Sequence, residues 1–427
     1  MDKDRKSAYL ALLRMEKDGA WSNIMLNHLI EEEKPQSPAF VRELTYGVLE
    51  RKYYLDYLLA QLLTQSIRKL RKEAHVLLAM GMYQIIFMDS VPDHAACDEC
   101  VKLAKKYCRA QSGFINAVLR NFLRKRDSLK QPESEKDPVR RFSALYSYEP
   151  WIIQLWIAQF GEARTEKLLA AGNEKPPFTV RVNLLRTSVE ELKERLAKQQ
   201  IQCRNVPGSE RVLELKGSQI LKLPEYREGL FSVQDTASVI AMEHLSPQAG
   251  DTVIDTCAAP FGKTLCCAEI MENQGTILAF DKYPNKVKGL HREAERLGIR
   301  IAQAAAADAT VPREELFEAA DRVICDVPCS GLGVIRRKPE IKYKQLPDGG
   351  RELAALQLRI LENASRYVRP GGVLQYSTCT INRIENEDVI RAFLASHPAF
   401  SETVSRQLMP DEDGTDGFYF CRMQRAE

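Results

Sequence analysis

The first third of the chain carries a helical pattern of apolar residues. Across residues 1–130, apolar side chains recur at intervals of three and four, for example at Val41, Leu44 and Val48. This spacing places them on one face of a helix with about 3.6 residues per turn. The longest apolar run, residues 76–88, is shorter than the roughly 20 residues that span a bilayer, so we interpret it as a buried helix. The pattern predicts an all-helical domain over residues 1–130.

A different pattern follows a polar connection. Residues 131–138 are polar, charged and proline-containing, which is typical of a linker. Residues 140–235 then mix two helices, a strand at residues 178–185, a helix that Ser188 would cap, and short strands near residue 212. This mixture predicts a small α+β domain.

From residue 236 onward, apolar strands alternate with segments long enough to hold helices. The strands are "DTVIDTC" (251–257), "GTILAFD" (275–281), "DRVICDVP" (321–328) and "GGVLQYSTC" (371–379). Strands that read almost entirely apolar are typical of a parallel sheet covered by helices on both faces. The sequence therefore predicts a doubly wound α/β domain over residues 236–427.

Composition and charge refine this picture without changing it. With 427 residues, 44% of them hydrophobic and 28% charged, the chain has an ordinary globular composition and is long enough for two or three domains. The net charge is only +3, but residues 1–130 hold 22 Lys and Arg against 16 Asp and Glu. This excess favours an anionic partner for the first domain.

Cysteine usage and the N-terminus indicate the compartment. The 11 cysteines are odd in number and irregularly spaced, unlike a disulfide framework, so a reducing cytoplasm is expected. The N-terminal segment is charged and amphipathic and lacks the apolar core of a signal peptide. We therefore expect a cytoplasmic protein that is not bound to a membrane.

The ends of two predicted strands suggest a nucleoside cofactor. One strand ends at Asp255, and a tight turn leads from it into a helix near Lys263. Sheets of this class bind ligands at the carboxyl ends of their strands, where a helix N-terminus can bind an anionic group such as a carboxylate. The next strand ends at Asp281, whose carboxylate could accept hydrogen bonds from a ribose. The alternative is an Asp that ends a strand without binding any ligand.

The motif content narrows the choice of cofactor. Neither G-x-G-x-x-G nor the phosphate-binding loop motif is present, which disfavours nicotinamide cofactors and ATP. S-adenosylmethionine, which has a carboxylate and a ribose but no phosphate, fits better. Asp308 follows the region where the third strand should end and could bind the adenine amino group. An Asp that caps a helix is an equally good interpretation of Asp308.

Two cysteines stand at strand ends. Cys329 lies in the turn after one strand and Cys379 at the end of another, at the sheet edge where the cofactor is expected. A thiol acts as a nucleophile when deprotonated, and helix N-termini and basic side chains favour the thiolate. Six other cysteines are interpreted as inert core residues: Cys97, Cys100, Cys203, Cys266, Cys267 and Cys325. The pair at 97 and 100 forms a C-x-x-C without a second ligand pair, so no metal is expected.

Several motifs in the same order resemble one enzyme family. The motifs are "RVN" (181–183), "SVQDTAS" (232–238), "DTCAAPFGKT" (255–264), "CDVPCSGLGVIRRKPEIK" (325–342), "YSTCTINRIENE" (376–387) and "DGFYFCRM" (416–423). Together they resemble the RNA cytosine-5 methyltransferases of the Sun (Fmu) family. Upstream, "LTYGVLERKYYLDYLL" (44–59) and "SGFINAVLRNFLR" (112–124) resemble the NusB-like extension of a bacterial member that modifies small-subunit ribosomal RNA.

The resemblance implies a fold and an activity. The fold would be α/β, with a Rossmann-like S-adenosylmethionine-dependent methyltransferase domain at residues 236–427, a small α+β RNA-binding domain at 140–235 and a NusB-like RNA-binding domain at 1–130. The enzyme would act as a monomer and transfer a methyl group from S-adenosylmethionine to C5 of a single cytosine in 16S ribosomal RNA. The target base would lie in a loop or be flipped out of a helix.

The resemblance also assigns roles to matching residues. Cys379 would be the nucleophile that adds to cytosine C6, Cys329 would assist release, and Asp326 would bind the base near N3 and the methionine end of the cofactor. The cofactor would be bound by Cys257, Ala258, Ala259, Pro260, Phe261, Gly262, Lys263, Asp281, Asp308 and Asp326.

One position departs from the family pattern. Phe261 stands where the family usually has the first glycine of A-P-G-G-K-T. If that position needs a positive φ, phenylalanine is strained there. We expect the loop to keep its path, with the backbone of residues 258–263 contacting the cofactor and the ring turned outward.

Basic clusters are candidates for contacts with RNA. They are residues 67–72, the group Lys102, Lys105, Lys106 and Arg109, and residues 335–344, which should border the base pocket. Arg181 and Asn183 are expected on a strand that faces the same cleft. Two alternatives stay open. One is a non-catalytic RNA-binding or ribosome assembly factor with a degenerate cofactor loop, and the other is a DNA cytosine methyltransferase whose nucleophile is Cys329.

Overall fold

The computed structural model describes residues 2–18, 23–217 and 219–427. The chain forms two compact units. The helical unit comprises residues 1–174 and 338–344, and the α/β unit comprises residues 175–337 and 345–427. Within the described ranges, no helix is both long and apolar enough to cross a membrane.

The helical unit is built from amphipathic α-helices. Those in its described part are α1 (Lys3–Asp18), α2 (Asn23–Glu33), α3 (Pro38–Glu50), α4 (Lys52–Ala60), α5 (Lys72–Phe87), α6 (Asp93–Tyr107), α7 (Ser112–Lys125), α8 (Pro138–Tyr146), α9 (Pro150–Phe160) and α10 (Glu162–Ala171). The apolar residues that predicted them form the core, since Val41, Leu44 and Val48 are at most 5% exposed. The apolar run near residue 80 is a largely buried part of α5, as predicted.

The segment predicted as a linker lies inside the helical unit. Residues 131–138 contain a short 3-10 turn, Pro132–Ser134. The Asp137 side chain accepts a hydrogen bond from the Val139 N–H at 3.1 Å and so caps α8. These polar residues are therefore used in local turns and caps within one compact unit.

The α/β unit contains all the strands of the described residues. In chain order its elements are β1 (Thr179–Val182), α11 (Val189–Lys198), β2 (Gln202–Val206), β3 (Ser209–Lys216), α12 (Pro224–Arg227), β4 (Phe231–Val233), α13 (Thr236–Leu245), β5 (Thr252–Asp255), α14 (Gly262–Ile270), β6 (Thr276–Asp281), α15 (Pro284–Val287), α16 (Gly289–Leu297), β7 (Ala302–Ala306), β8 (Ala320–Asp326), α17 (Arg351–Ser365), β9 (Val368–Thr378), α18 (Glu387–Ser396), β10 (Phe400–Leu408) and β11 (Phe418–Arg425).

A small antiparallel sheet precedes the large one. Its strand order is β2-β3-β1-β4. Ser188 caps α11 as predicted, because its hydroxyl accepts a hydrogen bond from the Glu191 N–H at 3.1 Å. This sheet and its helix confirm the predicted α+β fold of the middle region.

The large sheet has seven strands in the order β10-β11-β9-β8-β5-β6-β7. The five strands β9, β8, β5, β6 and β7 run parallel, while β11 and β10 pair antiparallel at one edge. Because β5 lies between β6 and β8, the strand order reverses next to it. In open α/β sheets, ligands bind at the carboxyl ends of the strands at such a point.

Helices cover both faces of the large sheet. Leu265 of α14 and Leu290 of α16 belong to the apolar core on one face, and Leu361 of α17 and Ile390 of α18 belong to the core on the other. The central strands are therefore buried on both sides, which explains their almost entirely apolar sequences. The predicted doubly wound α/β fold is confirmed.

Candidate functional site

The loop after β5, residues 256–261, is tied to the end of β6. The Ala258 N–H donates to the Phe280 carbonyl at 2.7 Å. The Asp281 carboxylate accepts from the Ala259 N–H at 3.3 Å and from the Tyr283 N–H at 3.1 Å. Asp281 is 8% exposed. Its carboxylate therefore lies at the carboxyl edge of the sheet, beside the loop where a nucleoside was expected.

Phe261 keeps the left-handed backbone of a glycine. Its φ is +74° and its ψ is 5°. The prediction that its ring turns outward is wrong, because the side chain is only 2% exposed and packs in the core that includes Leu265. Burying an aromatic ring stabilises a protein by about 1.5–3 kcal/mol, whereas a left-handed backbone costs about 1–2 kcal/mol. Burial of the ring thus offsets the backbone strain.

The N-terminus of α14 fits the carboxylate of an amino acid. Phe261 precedes the helix and its side chain makes no capping hydrogen bond. The first N–H groups of a helix have no partner inside the helix, and together with the helix dipole they bind anions. Next to them, Asp255 accepts from the Thr264 hydroxyl at 2.7 Å. The donors and acceptors here suit a ligand with a carboxylate and an ammonium group.

Asp255 is buried and only partly satisfied. It is 1% exposed, and its Oδ1 has no hydrogen-bond partner among the described residues. Burial raises the pKa of Asp255 to about 7. A buried carboxyl group with a raised pKa thus contacts Thr264 in the first turn of α14.

Lys263 and Asp326 form an ion pair at the sheet edge. Lys263 Nζ lies 2.7 Å from Asp326 Oδ2, and the Ser377 hydroxyl donates to Asp326 Oδ1 at 2.7 Å. Burial lowers the pKa of Lys263, but attraction to Asp326 and to the Cys379 sulfur outweighs this and leaves the pKa raised. Lys263 is therefore a stable positive charge beside Cys379.

The structure brings the sulfurs of Cys329 and Cys379 together. Asp326 and Ser377 are paired neighbours on the parallel strands β8 and β9, so the turns that follow them meet at one edge. The two Sγ atoms are 3.1 Å apart, and the Cys379 N–H donates to Cys329 Sγ at 3.3 Å. Both cysteines are residues of intermediate exposure. The two cysteines therefore line one site.

The two thiols have different electrostatic surroundings. The pKa of Cys329 is raised well above its ordinary value by the hydrogen bond to Cys379, by burial and by the negative charges of Glu385 and Asp326. Cys379 interacts instead with the ammonium group of Lys263. The raised pKa of Cys329 favours a proton on its sulfur.

Arg181 and Asn183 are structural residues rather than exposed cleft residues. Arg181 is fully buried and makes two parallel 2.8 Å hydrogen bonds to the Glu269 carboxylate, plus one of 3.0 Å to the Gly262 carbonyl. Asn183 is also fully buried and donates to the carbonyls of Gly229 and Leu297. The expectation that they face a cleft is wrong, because their polar groups join the small sheet to α14 and α16.

The basic cluster at residues 335–344 is divided: Lys338 and Lys344 are exposed, while Arg336 and Lys342 have buried side chains. In the α/β unit, Arg336 lies 2.6 Å from Asp416, and Arg337 pairs with Asp416 and with Asp235. In the helical unit, Lys342 is 1% exposed and donates to Asn173. Burial lowers the pKa of Lys342 to about 7. The prediction that this run forms a basic RNA surface is wrong for these side chains, because their charges are used inside each unit.

Other predicted residues stay at the surface. The Lys and Arg side chains of residues 67–72 are exposed, as are Lys102, Lys105, Lys106 and Arg109, although Lys102 pairs with Glu99. Asp308 accepts hydrogen bonds from Thr310 and pairs with Lys282 at 2.9 Å; these contacts lower the pKa of Asp308 to about 2. Asp308 thus caps a local turn, and its contact with adenine stays a prediction.

Comparisons with known proteins agree with this fold and site. The family model for the 16S rRNA methyltransferase RsmB/F matches residues 242–424, that for the NusB family matches residues 2–124, and the Methyltr_RsmF/B-like ferredoxin-like domain matches residues 148–221. A probable ribosomal RNA small subunit methyltransferase B of Bacillus subtilis is 34% identical over 99% of this chain and 98% of its own length.

Solved structures share the fold. The crystal structure of PH0851 covers 100% of this chain and 99% of its own, with a TM-score of 0.81 and 25% identity. A methyltransferase homolog protein from Pyrococcus horikoshii covers 68% of this chain and 98% of its own, with a TM-score of 0.61 and 28% identity.

The Rossmann-like sheet, the loop over Asp281 and the family matches define an S-adenosylmethionine-dependent methyltransferase. The chain belongs to the RsmB/F family of 16S rRNA methyltransferases. The sequence-based family, fold and cofactor predictions are confirmed.

Proposed function

We propose that this protein transfers a methyl group from S-adenosylmethionine to C5 of a specific cytosine in 16S ribosomal RNA, through a covalent bond between Cys379 and C6 of that base. The observation that carries the proposal is the contact of two thiols, 3.1 Å apart, beside the Lys263–Asp326 ion pair. The proposal is further supported by the names of relatives, which are ribosomal RNA small subunit methyltransferases.

The chemistry explains why a thiolate is needed. Cytosine C5 is too electron-poor to attack a methyl group, but a thiolate that adds to C6 makes C5 electron-rich. Cys379 supplies this thiolate, and the positive charge of Lys263 stabilises it before attack. S-adenosylmethionine supplies a methyl group on a positively charged sulfur, which C5 can take.

Release needs a second group. The C5 proton passes to water, the electron pair of the C5–H bond forms the C5–C6 double bond, and the bond between Cys379 and C6 breaks, so that the sulfur leaves as a thiolate. Cys329 assists this step because its S–H can donate a hydrogen bond to the departing sulfur over 3.1 Å. The raised pKa of Cys329, caused first by its hydrogen bond to Cys379 and then by burial, keeps that proton in place.

Asp326 orients the base. Lys263 and Ser377 fix the two oxygens of Asp326, so that its position relative to Cys379 is set before the substrate arrives. We assign to it the contact with the base near N3 and with the methionine end of the cofactor. Cysteines of intermediate exposure require a base that is unpaired or flipped out of its helix.

The proposal is tested by methyl transfer assays with wild type, Cys379→Ala and Cys329→Ala, using labelled S-adenosylmethionine and either unmodified 16S RNA or DNA. We expect Cys379→Ala to lose transfer to RNA. We expect Cys329→Ala to accumulate a covalent RNA complex that survives a denaturing gel. Transfer that survives loss of Cys379 but not of Cys329 contradicts the proposal and favours the DNA-type arrangement, while an inactive wild type favours a non-catalytic factor.

A further inference from the structure

A buried carboxylate lies between the loops that carry the two thiols. Glu385 ends a short 3-10 turn, Arg383–Glu385, and is fully buried. On one side it meets Ser330, the residue after Cys329, and on the other it meets Thr380, the residue after Cys379. Sequence reasoning gave Glu385 no role, although it belongs to the polar run "INRIENE" that follows the cysteine.

Glu385 accepts a dense set of hydrogen bonds. Its Oε2 accepts from the Ser330 N–H at 2.8 Å and from Gln357 Nε2 at 3.0 Å. Its Oε1 accepts from the Ser330 hydroxyl at 2.5 Å and from Asn382 Nδ2 at 3.1 Å. The Thr380 hydroxyl lies 3.5 Å from the same oxygen and shares its single hydrogen between Glu385 and the Ser330 oxygen, 2.8 Å away. Each of these donors is neutral. A buried carboxylate costs several kcal/mol unless hydrogen bonds compensate it, and these hydrogen bonds hold the Glu385 carboxylate in one defined position.

The hydrogen bonds of Glu385 add to a direct link between the loops. The Ser330 and Thr380 hydroxyls are 2.8 Å apart, and the Gly333 N–H donates to the Cys379 carbonyl at 3.0 Å. Gly333 cannot be replaced here, because a Cβ would lie 1.9 Å from the Gly417 carbonyl oxygen. The loop that carries Cys329 and the loop that carries Cys379 are thus linked by two contacts, one between Ser330 and Thr380 and one between Gly333 and Cys379.

We infer that Glu385 is a positioning residue for the methyl transfer: its carboxylate fixes Ser330 and Thr380, and so holds the Cys329 sulfur at contact distance from Cys379. The inference rests on the proposed covalent mechanism. A hydrogen bond from Cys329 to the leaving sulfur depends steeply on distance, and a misplacement of about 1 Å in an active site can cost about 10²-fold in rate.

The negative charge of Glu385 supports the release step, as its position does. The pKa of Cys329 is raised by the hydrogen bond to Cys379, by burial and by nearby negative charges that include Glu385. Glu385 therefore helps to keep the proton on Cys329, where the release step needs it, without touching the substrate.

The central variant is Glu385→Gln, which keeps the shape but replaces one acceptor oxygen by a donor. Its matched control is Glu387→Gln, two residues along, whose Oε2 has no hydrogen-bond partner among the described residues. We expect Glu385→Gln to lower kcat by about 10–100-fold with unchanged KM for cofactor and RNA, because positioning affects the chemical steps more than binding. We also expect it to accumulate the covalent RNA complex, as Cys329→Ala does. Glu387→Gln should keep the kcat of the wild type and should not accumulate the covalent complex.

A double-mutant cycle separates positioning from a general loss of stability. If Glu385 acts through Cys329, Glu385→Gln should change the rate at which the covalent RNA complex breaks down by less than about twofold when Cys329 is already alanine. An equal loss of rate in both backgrounds overturns the inference, and so does an unchanged kcat in the single variant. Should Glu385→Gln fold poorly, Ser330→Ala removes the 2.5 Å hydrogen bond with a smaller expected effect in the same direction.

RNA that contains 5-fluorocytosine tests the underlying mechanism independently. Fluorine at C5 cannot leave as a proton does, so the wild type should be trapped as a covalent complex. A wild type that is not trapped contradicts the proposed function itself. If the wild type is trapped but Glu385→Gln has the kcat of the wild type and accumulates no covalent complex on normal RNA, only the role of Glu385 is contradicted.

Discussion

At the scale of single residues, function follows from what surrounds a side chain more than from its type. The two thiols have the same chemistry, yet Lys263 lies near one and Glu385 and Asp326 near the other. The same holds for carboxylates. Asp308 is stabilised as an anion by hydrogen bonds from Thr310, whereas Asp255 is destabilised as an anion by burial.

The raised pKa of Asp255 predicts a stability that depends on pH. The folded state holds a proton on Asp255 up to a pH of about 7, whereas the unfolded chain releases it near the ordinary value of 3.8. Between these values the folded state binds more protons, so the free energy of unfolding falls as the pH rises, by up to about 1.4 kcal/mol per pH unit. We expect urea unfolding to show that Asp255→Asn loses less stability than wild type between pH 5 and pH 7. Parallel losses in the two proteins would contradict this.

Phe261 allows a test of backbone strain. Phe261→Ala should be less stable than wild type by about 3–5 kcal/mol, because it removes the buried ring and keeps the strain. Phe261→Gly should be more stable than Phe261→Ala by about 1 kcal/mol, because glycine adopts a φ of +74° without strain. Chemical unfolding of the three proteins measures both differences, and an alanine variant as stable as the glycine variant would exclude the strain.

Cofactor binding by the wild-type loop is a separate prediction. The backbone of residues 256–261 is held at the end of β6 by hydrogen bonds to Phe280 and Asp281, so calorimetry should detect S-adenosylmethionine binding in spite of Phe261. An undetectable binding heat at several temperatures would contradict the view that the loop backbone makes the contact.

At the scale of secondary-structure elements, buried polar pairs set the position of the cofactor helix. β1 supplies Arg181 and α14 supplies Glu269, and both side chains are fully buried. The guanidinium also bonds the Gly262 carbonyl in the first turn of α14. The small sheet thus supports the helix whose N-terminus is the predicted binding place of the cofactor carboxylate.

Loss of one partner of this pair should be costly. Arg181→Met or Glu269→Met alone should destabilise the protein by about 3–5 kcal/mol, because each leaves an uncompensated buried charge. The double variant should cost clearly less than the sum of the two. Guanidinium unfolding of all four proteins measures the coupling, and strictly additive losses would show that the pair does not act as a unit.

At the scale of the whole molecule, charge is distributed unevenly while the total stays near zero. Part of the basic excess of the first 130 residues lies at exposed positions, including Lys105, Lys106 and Arg109. Contacts between such side chains and phosphates release counterions, so they contribute to affinity in a salt-dependent way.

RNA binding should therefore respond to these side chains. We expect the double variant Lys105→Ala/Lys106→Ala to weaken RNA binding and to reduce the slope of log affinity against log salt by about 0.7–0.9 for each phosphate that is no longer neutralised. Lys288→Ala/Arg300→Ala, at exposed positions outside both predicted RNA-binding domains, is a control with the same change of charge. Equal effects of the two double variants would mean that net charge, rather than this cluster, governs binding.

The site could be predicted from sequence only in part. The strand ends, the cofactor loop and the two cysteines follow from local pattern and from family motifs. The basic run at residues 335–344 looked like a surface, yet Arg336 and Lys342 have buried side chains, and Arg337 is paired with carboxylates, through contacts with residues far along the chain. The carboxylates that pair with these arginines lie far away in the sequence. The sequence near Arg336 and Arg337 therefore could not show that they are paired, whereas Lys105 is exposed.

The sequence by itself determined the helices, the strands and the family, because the period of apolar residues depends only on local geometry. Tertiary structure alone decided that the two sulfurs, 50 residues apart, meet at 3.1 Å. It also decided that Phe261 turns into the core and that Glu385 joins the two loops. The physical reason is that these contacts depend on the pairing of β8 with β9 and on packing against distant elements, which no local pattern records.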